Sequence, residues 1–316
     1  MLRKARAQFR RARRLVFNRI FILGAGAIGS TIGAALSKHY DVTLIGSKTH
    51  VETIRSKGLK VTGDIEGALT LKADTMIRGI PEKALIILTT KAQDSTKAVE
   101  GIRHMLKKDT VILILQNGIG NEEIVELAAG SSVRVLRGVL KVAAEFIEPG
   151  EVKFWSGKLL IGQGDGSQEI VTMLSRSGLD ARLSEDIVRD VWNKLVVNCV
   201  VNPLTAILGA TDGAIIVDSL KTVRNEIVKE CLAVAEAEGV CLQPDLTERI
   251  DRTVAGYKNL SSMYQDILKR RKTEIDFLNG KIVELGKKHN IPTPANEMLV
   301  GLIKYMEDRN GVPERD

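Results

Sequence analysis

The sequence predicts an α/β fold in which an N-terminal, doubly wound parallel sheet is followed by an all-α C-terminal domain. Three observations predict it. A short apolar strand, Arg19 to Leu23, runs directly into Gly24-Ala25-Gly26-Ala27-Ile28-Gly29, a segment of helical spacing (Ser30 to Lys38) and a second strand, Asp41 to Ile45. Two later runs, Ala84 to Leu88 and Val111 to Leu115, are continuously apolar, as strands covered on both faces are. Beyond residue 185 the apolar pattern is helical throughout.

Strand, glycine turn, helix, strand is the context in which GxGxxG binds a dinucleotide, so the first domain reads as Rossmann-type. Gly24 allows the tight turn, Gly26 lets the backbone approach a pyrophosphate, and Gly29 lets the helix pack closely. With Ala25, Ala27 and Ile28 they place the pyrophosphate over unpaired N–H groups at the helix N-terminus. The second strand ends in Gly46-Ser47-Lys48, with no carboxylate for the hydroxyls of an adenosine ribose. Ser47 and Lys48 suit a phosphate, which inclines the reading toward NADP(H) and leaves NAD(H) open.

The next two strands end in Thr89-Thr90-Lys91 and Gln116-Asn117-Gly118. Ligands of such sheets lie outside the carboxyl ends of the strands, so Lys91 and Asn117 are expected to face cofactor or substrate; ordinary turn chemistry is the alternative. Strand-like runs follow at 133–142, 150–155 and 158–162, then a helical 169–177 and a last strand at 178–183. Ser184 reads as the cap of the next helix, with Glu185 and Asp186 in its first turn. These features divide the chain into a basic arm (1–18), a dinucleotide-binding domain (19–184) and a helical substrate and dimerisation domain (185–316). Helices are expected at 185–202, 218–238, 245–256, 262–286 and 295–308.

The stretch from Asp190 to Ala206, DVWNKLVVNCVVNPLTA, carries most of the chemistry. Lys194 and Asn198 lie one turn apart on one helix face, and Asn202 a turn further on. Pro203 is expected to bend or end the helix there. A lysine in so apolar a segment is costly unless an acid or a substrate meets it; a structural ion pair between helices would also meet that need. Glu274 lies in a segment read as helix, with apolar 275, 277 and 278, where it is either inward and able to offset the lysine or an ordinary exposed carboxylate. Ser261-Ser262 reads as the start of a helical turn.

Composition bounds the rest. The chain has 316 residues and a formal charge of +7, but eight of its 46 Lys and Arg residues fall within residues 1–19, where there is no acid; the remainder carries about −1. The arm is read as a solvated or partly helical extension, or as the product of an upstream start codon, rather than as a nucleic-acid or membrane-surface ligand. Three cysteines (Cys199, Cys231, Cys241) without CxxC spacing and four histidines without a metal-spaced pair indicate neither a disulfide framework nor a metal site. No apolar run is expected to cross a membrane, and the composition suits a cytoplasmic enzyme. Apolar surface on the helical domain would support a homodimer.

These residues carry a resemblance to the ketopantoate reductase (2-dehydropantoate 2-reductase) family. It runs in order through GAGAIGS, TTKAQD, QNGIGN, NKLVVNCVVNPLTA, SSMYQD and TEIDFLNG, over roughly residues 19 to 307. The last three blocks are specific to the family; the glycine motif is shared by many oxidoreductases. The resemblance implies that Lys194 is the catalytic acid and that Glu274 supports it, the substrate and the cofactor. It also implies that Asn198, Asn202 and Ser262 bind substrate, and that Lys91 and Asn117 lie by cofactor and substrate together. The implied reaction is NAD(P)H-dependent reduction of ketopantoate to pantoate, on the way to pantothenate and coenzyme A. Two departures stand out. Asp212-Gly213 replaces a frequent Asn-Gly, which leaves Asp212 outside the expected site, and Ser47 beside Lys48 replaces a frequent arginine. Other dehydrogenases of this build (β-hydroxyacid, glycerol-3-phosphate, opine) would share the helix lysine. A nicotinamide-sensing regulator without turnover is a reading from another class. The KLVVNCVVNPLTA and TEIDFLNG blocks favour the reductase.

Overall fold

The computed structural model describes residues 17–131, 133–309 and 311, so nearly all of the basic arm lies outside the described residues. The N-terminal half comprises β1 (Arg19–Leu23), α1 (Ala27–Ser37), β2 (Val42–Ile45), α2 (Lys48–Lys57), β3 (Leu59–Gly63), β4 (Gly67–Leu69), β5 (Lys72–Asp74) and β6 (Ala84–Leu88). It continues with α3 (Ser95–Glu100), β7 (Val111–Ile114), α4 (Asn121–Ala129), β8 (Arg134–Glu148), β9 (Glu151–Ile161), α5 (Ser167–Arg176) and β10 (Asp180–Leu183). Six strands pair in parallel in the order β5-β2-β1-β6-β7-β8. The order reverses between β1 and β6, the switch point at which a doubly wound sheet opens a crevice. Register sets the rim of that crevice: Leu23 lies opposite Ile45 and Leu88, and Leu88 opposite Ile114. Gly24, Gly46, Thr89 and Leu115 therefore emerge level with one another.

β8 does not stop at this rim. It runs on for 15 residues and turns back as β9, antiparallel, with irregularities between Lys141 and Ala143 and between Phe146 and Glu148. The two strands expected at 150–155 and 158–162 are one. Gly157 lies inside it, and a Cβ there would stand 1.9 Å from the Lys141 carbonyl oxygen, so glycine lets β8 bulge against β9 without breaking the strand. The short β3, β4 and β5 were not expected; β3 alternates apolar and polar over four residues, and β4 and β5, of three residues each, are too short to show a period. Apolar residues from α1 and α5 cover one face of the sheet, and those from α3 and α4 the other.

The C-terminal half is helical: α6 (Ile187–Leu208), α7 (Lys221–Ala237), α8 (Leu246–Val254), α9 (Ser262–Leu268), α10 (Asn279–His289) and α11 (Pro294–Arg309), around a separate apolar cluster. Asp186, rather than Ser184, caps α6: its carboxylate accepts from the Arg189 N–H at 3.0 Å, while Ser184 Oγ donates to Asp190 at 2.8 Å.

Two expectations are corrected here. First, α6 does not end at Asn202; it continues through Pro203 to Leu208. Pro203 has no N–H for the Cys199 carbonyl four residues back, and the Asn279 side-chain amide donates to that carbonyl instead, at 2.9 Å. Asn279 is held in turn by Asn296 (2.9 Å), and Asn296 by Glu230 (2.7 Å). Second, 262–286 is not one helix. Lys269-Arg270-Arg271-Lys272 offers nothing apolar to bury, Arg270 takes φ +51°, and Glu307 accepts the Thr273 N–H at 2.7 Å. The chain re-enters as a 3-10 turn, Ile275–Phe277, before α10.

α6 is also long and apolar enough to cross a membrane by length and composition, contrary to expectation. Two-thirds of its most apolar window is buried inside the protein, as befits the central helix of a helical core.

Candidate active site

A cavity of about 770 Å³ lies between the rim of the sheet and the face of α6. Its floor is the glycine turn. Gly24 takes φ +112°, and a Cβ there would stand 2.3 Å from the Thr90 nitrogen; a Cβ on Gly29, which supports the turn from beneath, would stand 2.3 Å from the Gly24 carbonyl oxygen. Nothing lies within 4 Å of a Cβ built on Gly26. Two glycines are thus required by crowding, and the middle one opens onto the space that a diphosphate at the N-terminus of α1 needs. The residues present fit a dinucleotide. Gly24, Ala25, Gly26, Ala27 and Ile28 line the cavity, and so does Ser47. Lys48 does not: its side chain is 81% exposed and stands 4.0 Å from Glu52.

Lys91, past the end of β6, reaches across to the helical half. Its ammonium is bonded to Asp266 Oδ2 at 2.5 Å and stands 3.8 Å from Glu274 Oε2. Burial alone would lower the Lys91 pKa, but the two carboxylates outweigh it and hold the group above its ordinary value. Glu274 is buried, not exposed. One oxygen accepts the Ala92 N–H at 3.0 Å and the other the Asn117 side-chain amide at 3.3 Å. Breaking the helix before residue 275 is what frees Glu274 to enter the cleft.

The opposite wall is α6. Lys194, Asn198 and Asn202 line the cavity from one helix face, and no described residue hydrogen-bonds their side chains. Ser262 lies on the same cavity, in the first turn of α9, whose cap is Ser261 (Tyr264 N–H to Oγ, 3.1 Å). The Lys194 pKa is pushed down to about 7, by burial above all and by the cations Arg137 and Lys141, with Glu274 opposing. Such an ammonium gives up its proton readily near neutrality.

Sequence reasoning missed four features of the site. Asp266 holds Lys91; the four-residue spacing from Ser262 places both on one face of α9 and was the available signal. Asp212 was set aside, yet it lines the cavity. Burial pushes its carboxyl up to about 6 against a 2.5 Å bond from the Asn259 amide. Lys269, Arg271 and Lys272 also reach the cavity wall, and Arg137 lies buried behind it.

Family models cover both halves: Ketopantoate reductase PanE/ApbA matches residues 20–166, and its C-terminal counterpart matches residues 186–307. The chain belongs to the ketopantoate reductase family. Among curated members, the 2-dehydropantoate 2-reductase of Pyrococcus horikoshii is 38% identical, over 93% of this chain and 99% of its own. That of Streptococcus pyogenes serotype M6 is 32% identical over 91% and 97%. Among solved structures, a PanE/ApbA family ketopantoate reductase from Ralstonia eutropha JMP134 superposes with a TM-score of 0.85 at 29% identity, covering 93% of this chain and 99% of that one. A D-mandelate dehydrogenase, solved with NADH and anilino(oxo)acetate, superposes with a TM-score of 0.86 at 32% identity, covering 93% and 100%. This ketopantoate reductase family member is an oxidoreductase.

Proposed function

We propose that the protein reduces ketopantoate to pantoate, with Lys194 as proton donor. The observation that carries this reading is the α6 face, where an ammonium and two amides line the cavity without a hydrogen-bond partner among the described residues. Lys194 and Asn198 are half-buried and Asn202 is buried, so the face offers its polar groups to a polar ligand in the cavity.

Held by the 24–28 turn and Ser47, a reduced nicotinamide cofactor would supply the hydride. Lys194 donates to the carbonyl oxygen and transfers its proton as the alkoxide forms, ending as a neutral amine. Asn198, Asn202 and Ser262 bind the substrate's carboxylate and hydroxyl. Glu274, anchored by the Ala92 N–H, balances the charge near Lys194 and orients Asn117 toward the cofactor. Lys91, pinned between two carboxylates, is a fixed binding cation rather than a proton carrier. Ser47 and the absence of a carboxylate at the end of β2 favour NADPH over NADH. The enzyme acts in the cytoplasm, in the route to pantothenate and coenzyme A. It acts as a homodimer, for which the exposed stripe Met298, Leu302 and Tyr305 on α11 is the candidate surface.

A second reading is favoured by one observation, the likeness to a D-mandelate dehydrogenase. Leu140, Val142 and Trp155 line the cavity and would suit a 2-oxo acid with a bulkier apolar tail. Steady-state oxidation of NADPH and of NADH, each with ketopantoate and with phenylglyoxylate, separates the readings. Higher kcat/KM for ketopantoate supports the first; higher kcat/KM for phenylglyoxylate replaces it with the second.

A further inference from the structure

Arg137 is buried at the base of the site and has no part in the roles assigned above. We propose that Arg137 is a positioning residue for catalysis: its guanidinium clamps the turn that carries Asn117 and places a buried positive charge on β8, the strand packed against the helix that carries Lys194. The inference rests on Lys194 being the proton donor.

The clamp is geometric. Arg137 lies on β8, and its Nη2 donates to the carbonyl oxygens of both Gln116 and Gly118, at 2.8 Å each. These are the two neighbours of Asn117, so the backbone on either side of that amide is fixed by one guanidinium amino group. Gly118 takes φ +85°, and a Cβ there would stand 2.5 Å from the Phe277 carbonyl oxygen, so the turn is pressed against the segment that follows Glu274. Arg137 thereby sets the placement of Asn117 against its partner Glu274. A lysine at this place would bring the charge on a flexible stem, without the rigid guanidinium plane that holds one amino group between the two carbonyls.

The charge has its own consequence. Arg137 Nε stands 3.4 Å from Glu122 Oε1 without a hydrogen bond, and Nη1 has no partner among the described residues; burial disfavours the cation, while the carboxylates of Glu122 and Glu123 support it. The charged groups facing Lys194 are Arg137 and Lys141 from β8 and Glu274 from across the cleft. Lys141 is half-exposed and tied to Asp190 at 3.1 Å, which leaves Arg137 as the principal fixed positive charge. After burial, Arg137 is the largest influence lowering the Lys194 pKa.

The test is the pH profile of kcat/KM for ketopantoate reduction in the full-length enzyme, with NADPH affinity followed by fluorescence, for Arg137→Gln, Arg137→Lys and Lys141→Met. Native enzyme and Lys194→Ala serve as controls. Arg137→Gln should move the alkaline limb of the native profile to higher pH by about one unit. Arg137→Lys should leave the limb in place and raise KM several-fold. Lys141→Met should shift the limb less than Arg137→Gln. A limb unmoved in Arg137→Gln, or moved as far in either of the other variants, overturns the proposal. If Arg137→Gln does not fold, Arg137→Lys decides: a limb in place with raised KM supports the proposal and a displaced limb overturns it. A native profile without a limb that depends on Lys194 would defeat the proton-donor reading first, and this inference with it.

Discussion

Two lysines face the same cavity from opposite walls and have been given opposite characters by their surroundings. Lys91 meets two buried carboxylates and is held charged above its ordinary pKa. Lys194 meets no hydrogen-bond partner among the described residues, has cations behind it, and is brought down to about 7. Burial acts on both in the same direction, so the difference comes from the partners. In the proposed reaction one cation is fixed for binding and the other is poised to give up a proton.

The largest expected effect comes from removing the poised lysine. Lys194→Ala should lower kcat by about 10²–10⁴-fold, the usual worth of a general acid, while NADPH affinity by fluorescence titration stays within a few-fold. A loss of cofactor affinity as large as the loss of turnover would place Lys194 in binding instead. Removing the fixed lysine should act on the fold. Lys91→Met strands Asp266 and Glu274 next to each other, and chemical denaturation should show a loss of about 1–3 kcal/mol, discounted from a fully buried pair because Lys91 is a third exposed. Asp266→Asn should recover part of that loss in the double variant; an additive loss would mean the pair is not coupled.

The buried amide behind α6 is the next weaker target. Asn279→Leu leaves the Cys199 carbonyl unpaired beside Pro203 and should cost about 1–3 kcal/mol, with KM raised more than kcat lowered as Asn198 and Asn202 lose alignment.

The smallest effect is a gain. A lysine whose folded pKa is about 7 against an unfolded value of 10.5 contributes full stability only above 10.5, and that contribution is lost as pH falls through 7. Lys194→Met should therefore raise stability by about 1–2 kcal/mol at pH 6, with the advantage gone by pH 10.5. An advantage equal at both pH values would assign it to packing alone.

The two walls also differ in how far the sequence revealed them. The Rossmann half was legible because GAGAIGS is local: Gly24 and Gly29 answer to neighbours a few residues away or to the strand beside them, and Gly26 opens onto the cavity. The carboxyl-end rule then placed Lys91 and Asn117 on the rim. On α6 the i, i+4 spacing placed Lys194 and Asn198 on one face, but Pro203 misled, because the group that replaces its missing hydrogen bond, Asn279, lies far along the chain. Glu274 was chosen by resemblance while its segment was read as helix. Its burial follows from the break at Arg270, which depends on Glu307 capturing the Thr273 N–H. Arg137 and Asp266 were missed because a single arginine in a strand and a single aspartate in a helix look like surface charge until long-range contacts are known.

The measurement closest to the central claim is the pH dependence of kcat/KM for ketopantoate reduction, compared between the native enzyme and Lys194→Arg. The variant keeps a positive charge on α6 but holds its proton throughout the accessible pH range. The account predicts a native rate that falls as pH rises through about 7, because the ammonium is then lost, and a variant slowed at least about a hundredfold at every pH. A variant that retains near-native turnover, or a native rate flat from pH 6 to pH 9, would contradict it.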